Sequence, residues 1–118
     1  MIERYTRPQM GGVWSDEKKF STWLEVETVV CEEMEALGLC PVGTGAKVRK
    51  KARFDAARIT ELELRLKHDV IAFTTNVSEN LGDESRFFHY GLTSSDLLDT
   101  SLALLCKEMA VTFLAIIP

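Results

Sequence analysis

Two short polar clusters hold the residue types that can do chemistry in this chain of 118 residues: Lys67-His68-Asp69 and His89-Tyr90-Gly91-Leu92-Thr93-Ser94-Ser95-Asp96. Each stands where an apolar helical pattern begins, and between them they contain both histidines. Histidine can donate, accept or carry charge near neutral pH. Here it stands beside carboxylates, hydroxyls or turn residues, surroundings suited to an anionic ligand. Adjacent residues of a helix do not face each other, so pairing of His68 with Asp69 requires irregular backbone. The pattern leaves two readings of His68 open: one faces a ligand, the other is satisfied within the fold. Thr93-Ser94-Ser95-Asp96 offers more caps than a helix beginning near Leu97 can use, since Ser95 or Asp96 alone would suffice. Thr93 and Ser94 are then left beside free backbone N–H groups and the positive end of a helix dipole, a seat for a carboxylate or phosphate.

The elements that must position these clusters are helical. Ser15 or Asp16 caps a helix running to about Leu37. Phe20, Trp23, Leu24, Glu27, Val30, Met34 and Leu37 mark its 3.6-residue period, and Gly38 closes it. Trp14 and Trp23 read as packing residues. Glu25, Glu27, Glu32, Glu33 and Glu35 read as a wetted face rather than a metal cluster. Pro41, Gly43 and Gly45 signal a turn before one short helix bearing Lys47-Val48-Arg49-Lys50-Lys51-Ala52-Arg53. Its cations read as a solvated face rather than an RNA-binding stripe, because Phe54 is the one aromatic flank.

Asp55 caps the next apolar period, Ile59, Leu62, Leu66, Val70, Phe73 and Val77, which ends at Leu81-Gly82. His68-Asp69 marks a kink in it, or a restart capped by Asp69. In the connection that follows, Asp83, Glu84 and Arg86 meet water while Phe87 and Phe88 dock on the bundle. The last helix carries Leu97, Leu98, Leu102, Leu105, Met109 and Phe113, then an apolar run from Val111 to Pro118. That run reads as a long helix without its bundle partners, or as a surface requiring another chain. At the other end Pro8 restricts Arg7, so Met1 to Met10 is no helix candidate and Ile2 to Arg7 is extended or irregular. The segment is either a frayed tail or a strap from which Arg4 and Tyr5 project.

Bulk properties narrow the function classes. The chain is 46% hydrophobic and 27% charged, which fits one soluble domain. A formal charge of -4 argues against broad nucleic-acid binding. Cys31, Cys40 and Cys106 form an odd set without CxxC spacing or a leader pattern ahead of them, and read as reduced cytoplasmic thiols rather than a zinc site. A membrane span finds no support, nor does a sheet, because no segment alternates cleanly between turn signals.

Taken in order, Met1-Ile2-Glu3-Arg4-Tyr5, the helix with Trp14, Phe20, Trp23 and Glu25, the Phe54-Asp55 turn, Lys67-His68-Asp69-Val70-Ile71-Ala72-Phe73, and the His89 to Asp96 stretch with Asp99-Thr100 resemble the amino-terminal part of the adenylosuccinate lyase family. The likeness covers Met1 to about Ala110. Argininosuccinate lyases and fumarases of the same fumarase/aspartase superfamily share the general plan, but Arg4-Tyr5 with Lys67-His68-Asp69 is most similar to the purine enzymes. The resemblance implies an all-α fold, with residues 1–92 an amino-terminal helical domain with its extended strap and residues 93–118 the start of a central helical bundle. It implies β-elimination of fumarate from adenylosuccinate, without cofactor or metal, in a cytoplasmic homotetramer. It places Arg4 on the substrate phosphate with Tyr5 on the nucleotide, Lys67, His68 and Asp69 along the substrate, Thr93 and Ser94 on a succinyl carboxylate, and His89 toward the phosphate. His68 would orient the ligand. Members of the family are several times longer and build each site from three chains, with the principal acid histidine and a mobile serine loop beyond Pro118. The isolated chain is therefore expected to be inactive.

Overall fold

The computed structural model describes residues 2–116, and among these every regular element is helical. The elements are a 3-10 turn at Glu3–Tyr5, then α1 (Pro8–Val13), α2 (Asp16–Ala36), α3 (Thr44–Lys51), α4 (Ala56–Leu66), α5 (Asp69–Leu81), a 3-10 turn at Gly82–Phe87, and α6 (Ser94–Ile116). Met1, Ile117 and Pro118, the outer ends of the strap and of the apolar run, lie outside the described residues.

The start of the chain departs from expectation. Arg7 is extended, as a residue before proline should be, but Pro8 then opens α1. Proline suits that first position, because its missing N–H would have no partner there and its φ is already helical. By contrast, α2 begins and ends as its sequence directs. The Ser15 side chain accepts from the Lys18 amide at 3.1 Å. At the other end Gly38 turns left-handed (φ 71°), so its N–H reaches the Glu35 carbonyl and that of Leu39 reaches Met34.

The acidic run on α2 is not simply a wetted face. Glu25 and Glu32 both grip Arg49 of α3, and the two Glu35 oxygens each accept a 2.7 Å bond from the amides of Gly43 and Gly45, closing the start of α3. At Gly45 a Cβ would lie 2.9 Å from the Glu32 backbone, so only glycine fits this crossing. Lys47 and Lys51 pair with Glu84, whose carboxyl they hold down at about 2. Arg49, Lys47 and Lys51 are thus engaged with acids of neighbouring elements, which breaks up the positive stripe an RNA binder would need.

The core gathers around α2 and α5. Phe73 stacks on Phe20 (centroids 5.9 Å apart, planes 7° apart), meets the edge of Trp23 at 5.3 Å and touches Phe88 at 6.2 Å. Val48, Ile59, Leu62, Val70, Val77, Leu81 and Leu97 close around this cluster. On α2 the buried stripe runs through Phe20, Trp23, Glu27, Cys31 and Met34, while Leu37, expected in the stripe, is exposed beyond the last turn. Trp14 is also partly exposed: it lines an apolar cleft of about 290 Å³ with Val13, Trp23, Leu98, Leu102 and Leu105. Along α6 one face packs on α1 and α2, whereas Val111, Phe113 and Leu114 are 60%, 52% and 71% exposed.

Candidate functional site

The chain reverses at Lys67 and His68, and the backbone does what the sequence required for His68 and Asp69 to approach. Lys67 is left-handed (φ 56°) and ends α4, and His68 is extended and precedes α5. The period therefore restarts, but His68 and not Asp69 is the cap: its Nδ1 accepts from the Ile71 amide at 3.4 Å. Turning Lys67 left-handed places the extended cap position one residue earlier than expected. Asp69 becomes the first residue of α5, and its Oδ1 lies 3.5 Å from His68 Nδ1 and accepts from the Val70 amide. An Nδ1 that accepts leaves the proton on Nε2, so neutral His68 offers an N–H donor to a ligand oxygen. That suits orientation of a substrate. Lys67 and Asp69 stand exposed on either side.

Lysine is an odd choice for a left-handed position, which costs a side-chain-bearing residue roughly 1–2 kcal/mol while glycine adopts it freely at a smaller entropic cost. If only the turn mattered, glycine would serve. Lys67→Gly is expected to leave stability at or within about 1 kcal/mol above that of the parent chain, as read by urea denaturation. A clear loss would show that the lysine side chain holds the turn.

The second cluster forms differently from its sequence reading. Helix α6 begins at Ser94, three residues ahead of Leu97, and Thr93 precedes it. Asp96, in the first turn, accepts from the Thr93 amide at 2.8 Å and its hydroxyl at 3.1 Å. This is the reciprocal half of a capping box, in which an acid reaches back to the amide ahead of the helix. The Thr93 amide and hydroxyl, with His89 contributing, hold the Asp96 carboxyl below its ordinary value. The anion seat at Thr93 is therefore occupied by the chain's own carboxylate, and an external carboxylate would have to displace or join it. Ser94 lies beside it at the helix start.

His89 occupies the turn between Phe88 and Gly91 and is left-handed (φ 61°). It is held from below by Glu27, whose carboxylate accepts from the His89 amide at 3.0 Å and meets Nδ1 at 2.5 Å. Glu27 is 0% exposed. Burial pushes its carboxyl above the ordinary range, and the bonds from His89 pull it partway back. Next to it, burial and the Glu27 charge push the Cys31 thiol up to about 12, so Cys31 is an inert packing group. Sequence reasoning placed Glu27 in the apolar period and on the acidic face alike. The signal was its place in the stripe: a fully buried acid needs a partner.

Arg4 and Tyr5 lie in the opening 3-10 turn, the Arg4 guanidinium 4.8 Å from the Tyr5 ring centre and both side chains exposed. The structure thus brings together His89, Thr93, Ser94 and Asp96 around the start of α6, and Lys67, His68 and Asp69 around the start of α5. Among the described residues no hydrogen bond or ion pair joins these groups to each other or to Arg4 and Tyr5. The apolar cleft beside Trp14 contains none of them. No group of three or more possible metal ligands occurs among the described residues. Likewise, no described helix is long and apolar enough to cross a membrane.

These helices match those of a solved fumarate lyase from Mesorhizobium with a TM-score of 0.74 at 20% identity, over 84% of this chain and 24% of that one. The likeness shows a helical fold shared with that protein over about a quarter of its length. No family profile matches the chain. Curated proteins do: adenylosuccinate lyases of Synechocystis (54% identity over 88% of this chain) and Bacillus subtilis (50% over 92%). Over most of its length the chain is thus similar in sequence to adenylosuccinate lyases. It spans about a quarter of their length, 24% and 25% respectively.

Proposed function

We propose that this chain is part of an adenylosuccinate lyase. The enzyme would release fumarate from adenylosuccinate to leave AMP, and make the same C–N cleavage in the succinylocarboxamide intermediate of purine biosynthesis. The observation that carries this reading is identity of 46% to 54% with proteins of that name over nearly the whole chain. The local geometry supports it. Among the described residues the two non-glycine positions in left-handed backbone are Lys67 and His89, one in each polar cluster, and such strain collects at functional sites because structure alone does not favour it.

In this reading a base removes the proton beside a carboxylate while an acid protonates the departing nitrogen, and the doubly charged intermediate requires donors already in place. Residues 1–118 supply such donors. Arg4 takes the phosphate, where its fork suits two parallel bonds, Tyr5 contacts the nucleotide, and His89 assists at the phosphate. His68 donates from Nε2 to orient the ligand, between Lys67 and Asp69. Thr93 and Ser94 receive a succinyl carboxylate at the start of α6, where it displaces or joins the Asp96 carboxylate on Thr93. The main acid and base come from outside residues 1–118, so this chain alone is inactive. Residues 1–92 act as the amino-terminal domain and residues 93–118 open the central bundle of a cytoplasmic homotetramer. The exposed apolar side chains of α6 suit that bundle, and they equally favour a second reading, a helical assembly module without chemistry.

One experiment separates the two: intact mass of the protein isolated from its native cells, with fumarate release from adenylosuccinate assayed on the same fraction. A species much larger than 13.3 kDa with lyase activity is expected. A native 13.3 kDa species without activity would leave only the assembly module, and activity in a homogeneous 118-residue preparation would overturn the assignment of acid and base to other parts.

A further inference from the structure

We propose that Glu27 is the positioning residue of His89: it fixes the imidazole through Nδ1 and leaves Nε2 as the nitrogen that meets an anionic ligand. The inference rests on the reading of His89 as a substrate-side group. Three observations carry it. Glu27 uses both carboxylate oxygens on one residue, Oε2 on the His89 amide and Oε1 on the ring. It is fully buried in α2, 62 positions away in the chain, so its own side chain has no freedom to follow a mobile loop. It holds a residue whose backbone is left-handed without being glycine.

A strained conformation persists only where its surroundings over-determine it, and two charge-assisted bonds from a rigid helix do that. The arrangement also settles the ring. With Nδ1 turned onto the carboxylate, the proton on that side stays with the Glu27 bond, and among the described residues Nε2 has no hydrogen-bond partner. The His89 side chain is 22% exposed, and the start of α6 with Thr93 and Asp96 is its neighbour. An acid behind an imidazole is the usual way a protein fixes which nitrogen is offered outward. If capping and packing were the whole purpose, an asparagine or glycine in the turn would meet them without a buried carboxylate.

Glu27→Gln tests this without removing volume. The glutamine oxygen can still accept from the His89 amide, but its NH₂ then faces Nδ1 and must donate to it, which moves the imidazole proton to Nε2. In the 118-residue chain labelled with ¹⁵N-histidine, His89 of the parent is expected to show one fixed form with Nδ1 protonated, and Glu27→Gln is expected to exchange the two nitrogen signals. In uniformly ¹⁵N-labelled samples of the two proteins the amide signals of Gly43 and Gly45, which donate to Glu35, should not move. A parent ring that averages between tautomers, or a substituted ring with unchanged signals, would overturn the proposal. Should Glu27→Gln fail to fold, the parent spectrum still decides, because an averaged ring is incompatible with a fixed one. Adding inorganic phosphate to the parent separates the two layers of the argument. A shift concentrated at Nε2 supports both, whereas a ring fixed through Nδ1 that ignores phosphate keeps the positioning and overturns the ligand role of His89.

Discussion

Phe73→Ala is expected to destabilise the chain by about 3–5 kcal/mol, the range for truncating a buried aromatic. Phe73 is wholly buried at the centre of the aromatic cluster, between Phe20, Trp23 and Phe88. It is the point where α2, α5 and the turn before His89 meet. Its removal loses transfer free energy and leaves a cavity that its three aromatic neighbours cannot collapse into. The stability of domains, roughly 0.05–0.15 kcal/mol per residue, makes this a large share of the total. Urea denaturation followed by circular dichroism should show the midpoint fall sharply, with Tyr5→Ala, exposed at the opening turn, changing stability by less than about 0.5 kcal/mol. A loss at Phe73 below about 1 kcal/mol would mean that the helices are not organised around this ring. Because Phe88 adjoins His89, the same substitution should also loosen the turn that carries the candidate site.

How much of this could be read from the residues depended on whether the information was local. The ends of α2 were legible because Ser15 and Gly38 act on amides and carbonyls within a few positions. The break at His68 was legible too, since a polar triplet interrupts an apolar period. Which residue caps it was not, because that follows from the left-handed turn at Lys67, and nothing about lysine announces such a turn. Helix α1 was missed for a related reason. Pro8 and two glycines weigh against a helix in general, yet proline costs nothing at a first position. At α6 the surplus of caps was recognised, but Asp96 reached back and set the start at Ser94. The place of Glu27 in the apolar stripe signalled a buried acid, but its partner was out of reach, for His89 lies 62 residues away and only tertiary packing brings them together.

That partnership gives the second large expected effect, and its sign depends on pH. Glu27→Ala leaves the His89 amide and Nδ1 without their acceptor, and should cost about 1–3 kcal/mol for each donor left unpaired. Glu27→Gln should cost far less. It should also alter the pH dependence, for the following reason. The folded-state pKa of Glu27 lies above its ordinary value of 4.5, because burial outweighs the bonds from His89. The native state therefore holds this proton more tightly than the unfolded chain does. Stability associated with Glu27 is fully present below about 4.5 and declines as pH rises through the raised value, then levels off. The depressed carboxyls of Glu84 and Asp96 act in the opposite sense and at lower pH: their contribution is present above the ordinary carboxylate range and is lost on acidification, for Glu84 down to about 2. Between mildly acidic and neutral pH the Glu27 contribution is thus separable. Urea midpoints measured upward from pH 4.5 should fall for the parent chain relative to Glu27→Gln. In His89→Ala the ring's hydrogen bond and charge are lost while the amide bond remains, so the decline should be larger and reach higher pH. Parallel profiles for the parent and Glu27→Gln would show that the carboxylate is fully compensated where it sits. The imidazole would then neutralise the burial of Glu27 as completely as Glu27 fixes the imidazole.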